Sequence, residues 1–296
     1  NEPLYNCKPF DEQHSRTIQR YVPKIDAKSL SQFIEKINTT KKVLILASFH
    51  NDCNDLSDSL NNISGGNIVV LSEIVANNHG KKIFYNIDRL FTEINDSDWA
   101  QLQPDILISY GGAPVSRLAK TLLRKCKGIE HWRIGNENSV IDTFQNLTLN
   151  IEISPSIFFN IISKEVRCIG EYYNAWQSIS NKANASHSYY IDNAPWSDLK
   201  AMNIIMNQIP TSDINIQISN GSAIRYADIL GNPANFSGSY HCNRGVSGID
   251  GSTSTALGAS MISTSTTLLI TGDMSFSYDL SGLASQYNSE RFKIIV

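Results

Sequence analysis

Short runs of apolar, β-branched residues recur along the 296-residue chain, and each run ends in small or polar residues before a helix-length segment begins. Residues 42–47 and 106–110 are examples, and because all but one residue of each run is apolar or aromatic, they predict strands buried on both faces. Such strands, alternating with helices, form parallel sheets covered by helices. The pattern predicts an α/β fold with two doubly wound, Rossmann-like parallel-sheet domains.

The order of these runs divides the chain into three parts. Residues 1–26 contain turn formers and mixed charge without periodicity, so they predict a linker. Residues 27–166 predict a central Rossmann-like domain with strands at 42–47, 68–71, 106–110 and 131–134. Residues 167–296 predict a second α/β domain with helices at 171–185, 198–208 and 222–230 and strands at 214–219, 238–242, 267–271 and 292–296.

Composition and charge exclude several classes of function. The net charge is −3 and the Lys and Arg residues are scattered, so the basic surface of a nucleic-acid-binding protein is missing. No stretch approaches about 18 consecutive apolar residues, so no transmembrane helix is predicted. The five cysteines form no C-x-x-C pair, which favours free thiols and a cytoplasmic location.

The strongest local signal for chemistry follows the predicted strand at 267–271. Gly272 lets a ligand approach the backbone closely, and the carboxylate of Asp273 is a hard-oxygen ligand suited to Mg²⁺. In open parallel sheets, ligands bind beyond the carboxyl ends of the strands, which is where these residues lie. A helix N-cap is the competing structural interpretation of Asp273.

Two arginines follow the ends of neighbouring predicted strands. Arg244 lies in the glycine-dense segment 243–251, which has neither the Lys of a P-loop nor the spacing of G-x-G-x-x-G. Arg225 lies one turn inside the helix that follows the strand at 214–219. Each alone is readily explained as a surface residue, but together they predict a substrate with more than one carboxylate.

Segments 243–251 (NRGVSGIDG) and 272–283 (GDMSFSYDLSGL) together resemble the MenD family of thiamine-diphosphate-dependent enzymes. These are the 2-succinyl-5-enolpyruvyl-6-hydroxy-3-cyclohexene-1-carboxylate (SEPHCHC) synthases of menaquinone biosynthesis. Weaker similarity covers residues 1–5, 104–112 and 130–132. Either segment alone is unspecific, whereas the pair is typical of this family.

The resemblance implies a transferase that decarboxylates 2-oxoglutarate on thiamine diphosphate and adds the succinyl-semialdehyde unit to isochorismate in a Stetter-like 1,4-addition. It also implies Mg²⁺ or Mn²⁺ as the metal, and a homodimer or homotetramer with the cofactor between subunits. Substrate binding is implied for Arg225, Arg244, Arg117 and Asn220. Cofactor binding is implied for Ser247, Gly248, Ile249, Gly272, Asp273, Met274 and Ser275, with Asp273 the metal ligand. The Lys-Arg pair of the family's central domain corresponds to Arg117-Leu118, which keeps one cation.

The resemblance further implies that the chain is a fragment. It would lack the N-terminal pyrimidine-binding domain with the activating glutamate, and its diphosphate-binding domain would stop short of a metal-ligating Asn at about position 300. No catalytic residue is therefore expected in the chain, which would be inactive alone. Two alternatives stay open, namely another thiamine-diphosphate-dependent decarboxylase or carboligase acting on a different 2-oxo acid, and a non-catalytic Rossmann-like binding module.

Overall fold

The computed structural model describes residues 27–50, 54–136, 141–233, 236–284 and 289–296. It contains a five-stranded and a four-stranded parallel sheet, which confirms the predicted fold class of two parallel-sheet α/β domains. The linker predicted for residues 1–26 lies outside the described residues. The boundary predicted near residue 167 stays a prediction.

The first sheet has the strand order β2-β1-β3-β4-β5. Its strands are β1 (Val43–Ala47), β2 (Ile68–Ser72), β3 (Ile106–Tyr110), β4 (Glu130–Ile134) and β5 (Leu147–Ile151). The helices of this part are α1 (Ala27–Thr39), α2 (Asn54–Ile63), α3 (Ile87–Glu93), α4 (Asp96–Leu102), α5 (Arg117–Lys125), α6 (Pro155–Ile162) and α7 (Tyr172–Asn193). This strand order is one of the two common orders of doubly wound sheets.

Helices cover both faces of the first sheet because successive residues of its strands point to opposite sides. Val43 and Ile45 of β1 belong to a core that includes residues of α1, α2 and α6. Leu44 and Leu46 belong to a second core that includes residues of α3, α5 and α7. Strand β1 is therefore apolar throughout, as the sequence pattern required.

The second sheet has the strand order β7-β6-β8-β9. Its strands are β6 (Ile214–Ile218), β7 (Ser239–His241), β8 (Thr266–Ile270) and β9 (Phe292–Ile295). Its helices are α8 (Asp198–Gln208), α9 (Ser222–Leu230), α10 (Ser252–Ile262) and α11 (Asp273–Tyr278), and a 3-10 helix follows at Leu280–Ala284. In the described part of the chain, no helix combines the length and the apolar character that crossing a membrane requires.

The two sheets meet through a short segment that follows β2. Ile74 and Val75, in a 3-10 helix at Ile74–Ala76, belong to the same apolar core as β6 and α9. The Asn77 amide then pairs with the backbone of Tyr240 in β7, donating to its carbonyl at 2.9 Å and accepting from its N–H at 2.7 Å. We call the contact of this segment with α9 and β7 the domain junction.

Candidate functional site

Three loops meet at the carboxyl edge of the second sheet. They follow β6, β7 and β8 and comprise residues 219–221, 242–251 and 271–275, which we call the strand-end site. Because β6 lies between β7 and β8 in the sheet, the three loops are neighbours in space. The structure thus brings together the segments that the sequence marked as binding an anionic ligand.

Asn220 joins two of these loops from a buried position. Its amide group donates to the carbonyl oxygens of Asn243 and Gly248. Its Oδ1 atom accepts a hydrogen bond from Nη1 of Arg244 at 3.0 Å and from the thiol of Cys242 at 3.4 Å. The side chain predicted to bind substrate therefore holds the loop of Arg244 in place through both ends of its amide.

The third loop is attached through a serine and a glycine. The hydroxyl of Ser275, which is buried, donates to the carbonyl oxygen of Ile249. The backbone N–H of Gly272 donates to the hydroxyl of Ser219 at 3.3 Å. Two of the predicted cofactor-binding residues, Ile249 and Ser275, are thus in direct contact.

Asp273 begins α11 with its side chain exposed. The N-cap of that helix is Gly272, in an extended conformation, so the competing interpretation of Asp273 as the N-cap is wrong. No hydrogen bond or ion pair engages its carboxylate among the residues that the structure describes. Mg²⁺ is usually bound by one or two carboxylates together with phosphate oxygens and water, so a free Asp at this place fits such a site.

A metal site built from protein side chains alone is not found in the described residues, since no group of three or more His, Cys, Asp or Glu is suitably placed there. A cavity of about 290 Å³ lies beside Gly272 and Asp273. Its walls come from α8, α9, β8 and β9 and include Met202, Tyr226 and Thr271. This volume is at the lower end of the range for small-molecule pockets.

The remaining predicted cofactor-binding residues lie at exposed or half-buried positions. Ser247 adopts a left-handed conformation (φ 60°), and its hydroxyl donates to the carbonyl of Arg244 at 3.4 Å. Val246 beside it is 98% exposed, and Met274 in the third loop is 57% exposed. Gly248 is half-buried, and a Cβ atom added there would meet the carboxylate of Asp250. These residues therefore present a solvent-facing rim around the strand-end site.

The three predicted substrate-binding arginines differ in how they are held. Arg244 spans the two sheets, since its Nη2 atom donates to the carbonyl of Pro114 at 2.9 Å while Nη1 binds Asn220. Arg225 is half-buried in α9 and makes no hydrogen bond or ion pair within the described chain. Arg117 is exposed at the first position of α5.

Lys120 is a charged residue that the sequence reasoning missed. It lies one helical turn after Arg117 in α5 and is half-buried. Its pKa is lowered, first by burial and then by the positive charges of Arg244 and Arg124, whereas Glu73 raises it. The i, i+3 spacing from Arg117 was the available signal, because residues so spaced share one face of a helix. The first domain therefore contributes a second cation near Arg244.

A serine–histidine pair that the sequence did not reveal lies within the first sheet. The Ser109 hydroxyl is 2.8 Å from Nε2 of His131, and Nδ1 of His131 is 3.9 Å from Asp142. That last distance is too long for a hydrogen bond, and the Asp142 carboxylate accepts the backbone N–H groups of Asn146 and Leu147 instead. His131 is fully buried, so the pair is part of the core and is not arranged as a nucleophilic site.

Comparison with known proteins gives the family. No family model matches the chain. The chain is 37% identical over 302 residues to the 2-succinyl-5-enolpyruvyl-6-hydroxy-3-cyclohexene-1-carboxylate synthase of Flavobacterium psychrophilum, and the alignment covers 100% of the chain and 53% of that protein. The synthases of Flavobacterium johnsoniae and Porphyromonas gingivalis are 35% and 32% identical, over 99% and 100% of the chain and 55% and 52% of their own lengths.

The chain spans about half the length of the curated relatives it matches. The similarity nevertheless extends over essentially the whole chain in each of the three. The resemblance seen in the two loop segments is therefore confirmed, and the chain belongs to the MenD family of 2-succinyl-5-enolpyruvyl-6-hydroxy-3-cyclohexene-1-carboxylate synthases.

Proposed function

We propose that the intact protein is a SEPHCHC synthase that decarboxylates 2-oxoglutarate on thiamine diphosphate and adds the succinyl-semialdehyde unit to isochorismate. The observation that carries this proposal is the convergence of the arginine loop and the Gly272-Asp273 loop in one strand-end site. The names of the relatives support it, since each is a synthase of this kind. Another thiamine-diphosphate-dependent carboligase would use the same metal loop with a different 2-oxo acid.

Cofactor binding is assigned to the two loops that Ser275 joins. Ser247, Gly248 and Ile249 would contact the cofactor from one side, and the segment Gly272, Asp273, Met274 and Ser275 from the other. Asp273 would bind Mg²⁺ or Mn²⁺, because its carboxylate is exposed and unengaged within the described chain. When bound, thiamine diphosphate supplies the electron sink for decarboxylation of a 2-oxo acid.

Substrate binding is assigned to the cations around the same site. Both proposed substrates carry carboxylates, and arginine binds carboxylates through two parallel hydrogen bonds. Arg225 has no partner to give up among the described residues, whereas Arg244 would have to exchange the Pro114 carbonyl for a substrate oxygen. Arg117 and Lys120 extend the positive surface into the first domain. Asn220 would support substrate binding indirectly, because its amide holds the Arg244 loop in place and is not available to bind the substrate itself.

The family also supports three proposals about the whole protein. It would be a homo-oligomer, at least a dimer, because the family's cofactor lies between subunits. It would act in the cytoplasm on small-molecule substrates. It would have no nucleic-acid partner, which agrees with the net charge of −3 and the scattered basic residues.

The test is turnover by the intact protein supplied with thiamine diphosphate and Mg²⁺. We expect isochorismate to be consumed with 2-oxoglutarate and not with pyruvate, as followed by chromatography of substrates and product. Isochorismate-independent release of CO₂ from pyruvate would instead support the second thiamine-dependent function. Calorimetry that detects no binding of thiamine diphosphate in the presence of Mg²⁺ would contradict both and favour a binding module.

A further inference from the structure

Two carboxyl groups, one from each domain, are buried at the domain junction, and their charges interact. Glu73 is 1% exposed, and its Oε1 atom accepts the backbone N–H of Ser116 at 2.8 Å. Asp228 of α9 is 2% exposed, and its Oδ1 atom accepts the backbone N–H of Ile74 at 2.9 Å. Because Ile74 directly follows Glu73, the hydrogen bond that its N–H donates to Asp228 places both carboxyl groups in the same buried junction.

Each carboxyl group has one oxygen with no partner. Oε2 of Glu73 and Oδ2 of Asp228 are buried and make no hydrogen bond within the described residues. Nε of Arg244 is also buried and unbonded there, although the other two nitrogens of that guanidinium are engaged. Buried polar atoms are usually hydrogen-bonded, and the unpartnered oxygen on each carboxyl group offers a place for a proton.

A shared proton accounts for the charges of this arrangement. Two ionised carboxylates would repel each other in a buried place, which is costly. One proton held by the pair removes this repulsion and leaves a single negative charge among the positive charges of Arg244, Arg89 and Lys120. Like charges at one site disfavour the second ionisation, as in other carboxyl pairs.

The electrostatic surroundings agree with this account. Burial and then the charge of Asp228 raise the pKa of Glu73 to about 8, while its bonds to Ser116 and Val115 and the charge of Arg244 act in the opposite direction. Burial also raises the pKa of Asp228 to about 7. Four charged groups face the pair from the neighbouring elements, namely Asp88 and Arg89 of α3, Lys120 of α5 and Arg244 of the β7 loop.

We infer that Glu73 and Asp228 are positioning residues that share one proton. This proton determines how firmly Arg244 is held in the junction, and so how readily Arg244 binds a substrate carboxylate. The inference rests on the proposed function, in which Arg244 binds substrate. When the proton is present, one negative charge balances the guanidinium. When it is lost, two carboxylates attract Arg244 and its unbonded Nε, so substrate binding weakens as the pH rises.

The test compares steady-state kinetics of the intact protein from about pH 6 to about pH 9. The variants are Glu73→Gln and Asp228→Asn, which each keep an acceptor for the backbone N–H, and the matched control is Glu165→Gln, an exposed carboxyl group. In the wild type and the control, the KM for 2-oxoglutarate or isochorismate should rise by up to about tenfold per pH unit above the midpoint. In both junction variants that rise should be clearly weaker, with kcat changed far less than KM.

A second measurement separates this inference from the proposed function. If the intact protein turns over neither substrate, the proposed function fails, and the unfolding midpoint against pH then tests the shared proton. The wild type should lose stability as the pH rises through neutrality, and both junction variants should lose less. Identical unfolding profiles in all proteins would overturn the shared proton. A KM that is independent of pH beside a pH-dependent unfolding midpoint would overturn the link to Arg244.

Discussion

The proposed role of Asp273 in metal binding can be tested by a single substitution, because its side chain makes no contact that stabilises the described part of the fold. Its carboxylate is exposed and unengaged within the described chain, so Asp273→Ala should change the free energy of unfolding by less than about 0.5 kcal/mol. Removing an oxygen ligand of the metal should abolish the Mg²⁺ dependence of thiamine diphosphate binding. Titration calorimetry of the intact protein with and without Mg²⁺ measures this.

The control for that experiment is Asp192→Ala, which removes an exposed carboxylate near the end of α7. It should bind cofactor as the wild type does. Full Mg²⁺-dependent binding in Asp273→Ala would remove this residue from the metal site. Loss of binding together with a large loss of stability would show that Asp273 supports the loop and does not act through the metal.

Single residues also show which parts of the site a sequence can reveal. The pairing of Gly272 with Asp273 is local, since a strand end followed by a helix start is visible within ten residues of sequence. The role of Asn220 is not local, because its amide bonds to a loop that starts more than twenty residues later. Lys120 was missed for a different reason: the spacing showed which helix face it shares with Arg117, but not that this face lies near Arg244.

At the scale of whole elements, burial decided which strands the sequence predicted. The strands β1, β3 and β6 are nearly fully buried, so their apolar runs stood out, and they lie at or within one residue of the predicted bounds. Strand β5 (LTLNI) was not predicted, because it is a partly exposed edge strand with polar residues at alternate positions. Helix α7 is longer than predicted, since its second half has no sharp apolar stripe.

Asn77 is the side chain that fastens the second sheet to the segment after β2. It sits in the left-handed region (φ 53°), which Asn tolerates better than most residues, and its amide pairs with the backbone of Tyr240 as a neighbouring strand would. Asn77→Gly should cost about 1–3 kcal/mol for the buried backbone groups left unpaired. Asn77→Ala should cost about 1 kcal/mol more, because alanine is strained at positive φ.

Urea unfolding of the two variants checks this order. Asn86 offers a matched position, since it also has a positive φ (60°) but its Oδ1 atom is buried without a partner in the described chain. Asn86→Gly should therefore cost less than Asn77→Gly. Equal costs at the two positions would mean that the amide pairing with Tyr240 does not stabilise the junction.

The whole molecule depends on contacts that the sequence could not supply. Two parallel-sheet domains followed from the apolar runs, but the junction between them did not. Ile74 and Asp228, for example, are 154 residues apart and are joined by one hydrogen bond. A sequence does not reveal that an acidic residue is buried at such a contact, because Glu and Asp are mostly surface residues and are predicted as such. The structure alone places them, together with His131, inside the protein.

These buried groups predict how the stability of the whole protein varies with pH. Burial lowers the pKa of His131 to about 4 from 6.5, so the folded state binds fewer protons than the unfolded state between those values. Its contribution, at most about 3 kcal/mol, is present above pH 6.5 and is lost as the pH falls towards 4. Glu73 and Asp228 have raised pKa values, so their contribution is present at low pH and is lost as the pH rises towards about 8.

Below pH 6.5, the histidine and the carboxyl pair change the stability in opposite directions as the pH rises. Above pH 6.5, only the carboxyl pair still changes it. The free energy of unfolding should therefore fall between pH 6.5 and about 8 in the wild type, as measured by urea unfolding at a series of pH values. Glu73→Gln should reduce this fall, because Asp228 keeps a raised pKa of its own. His131→Gln, which can still bond Ser109, should instead reduce the loss on the acidic side, to which His187 also contributes because burial lowers its pKa to about 4. A wild type that gains stability between pH 6.5 and 8 would contradict the raised pKa values, and with them the shared proton at the domain junction.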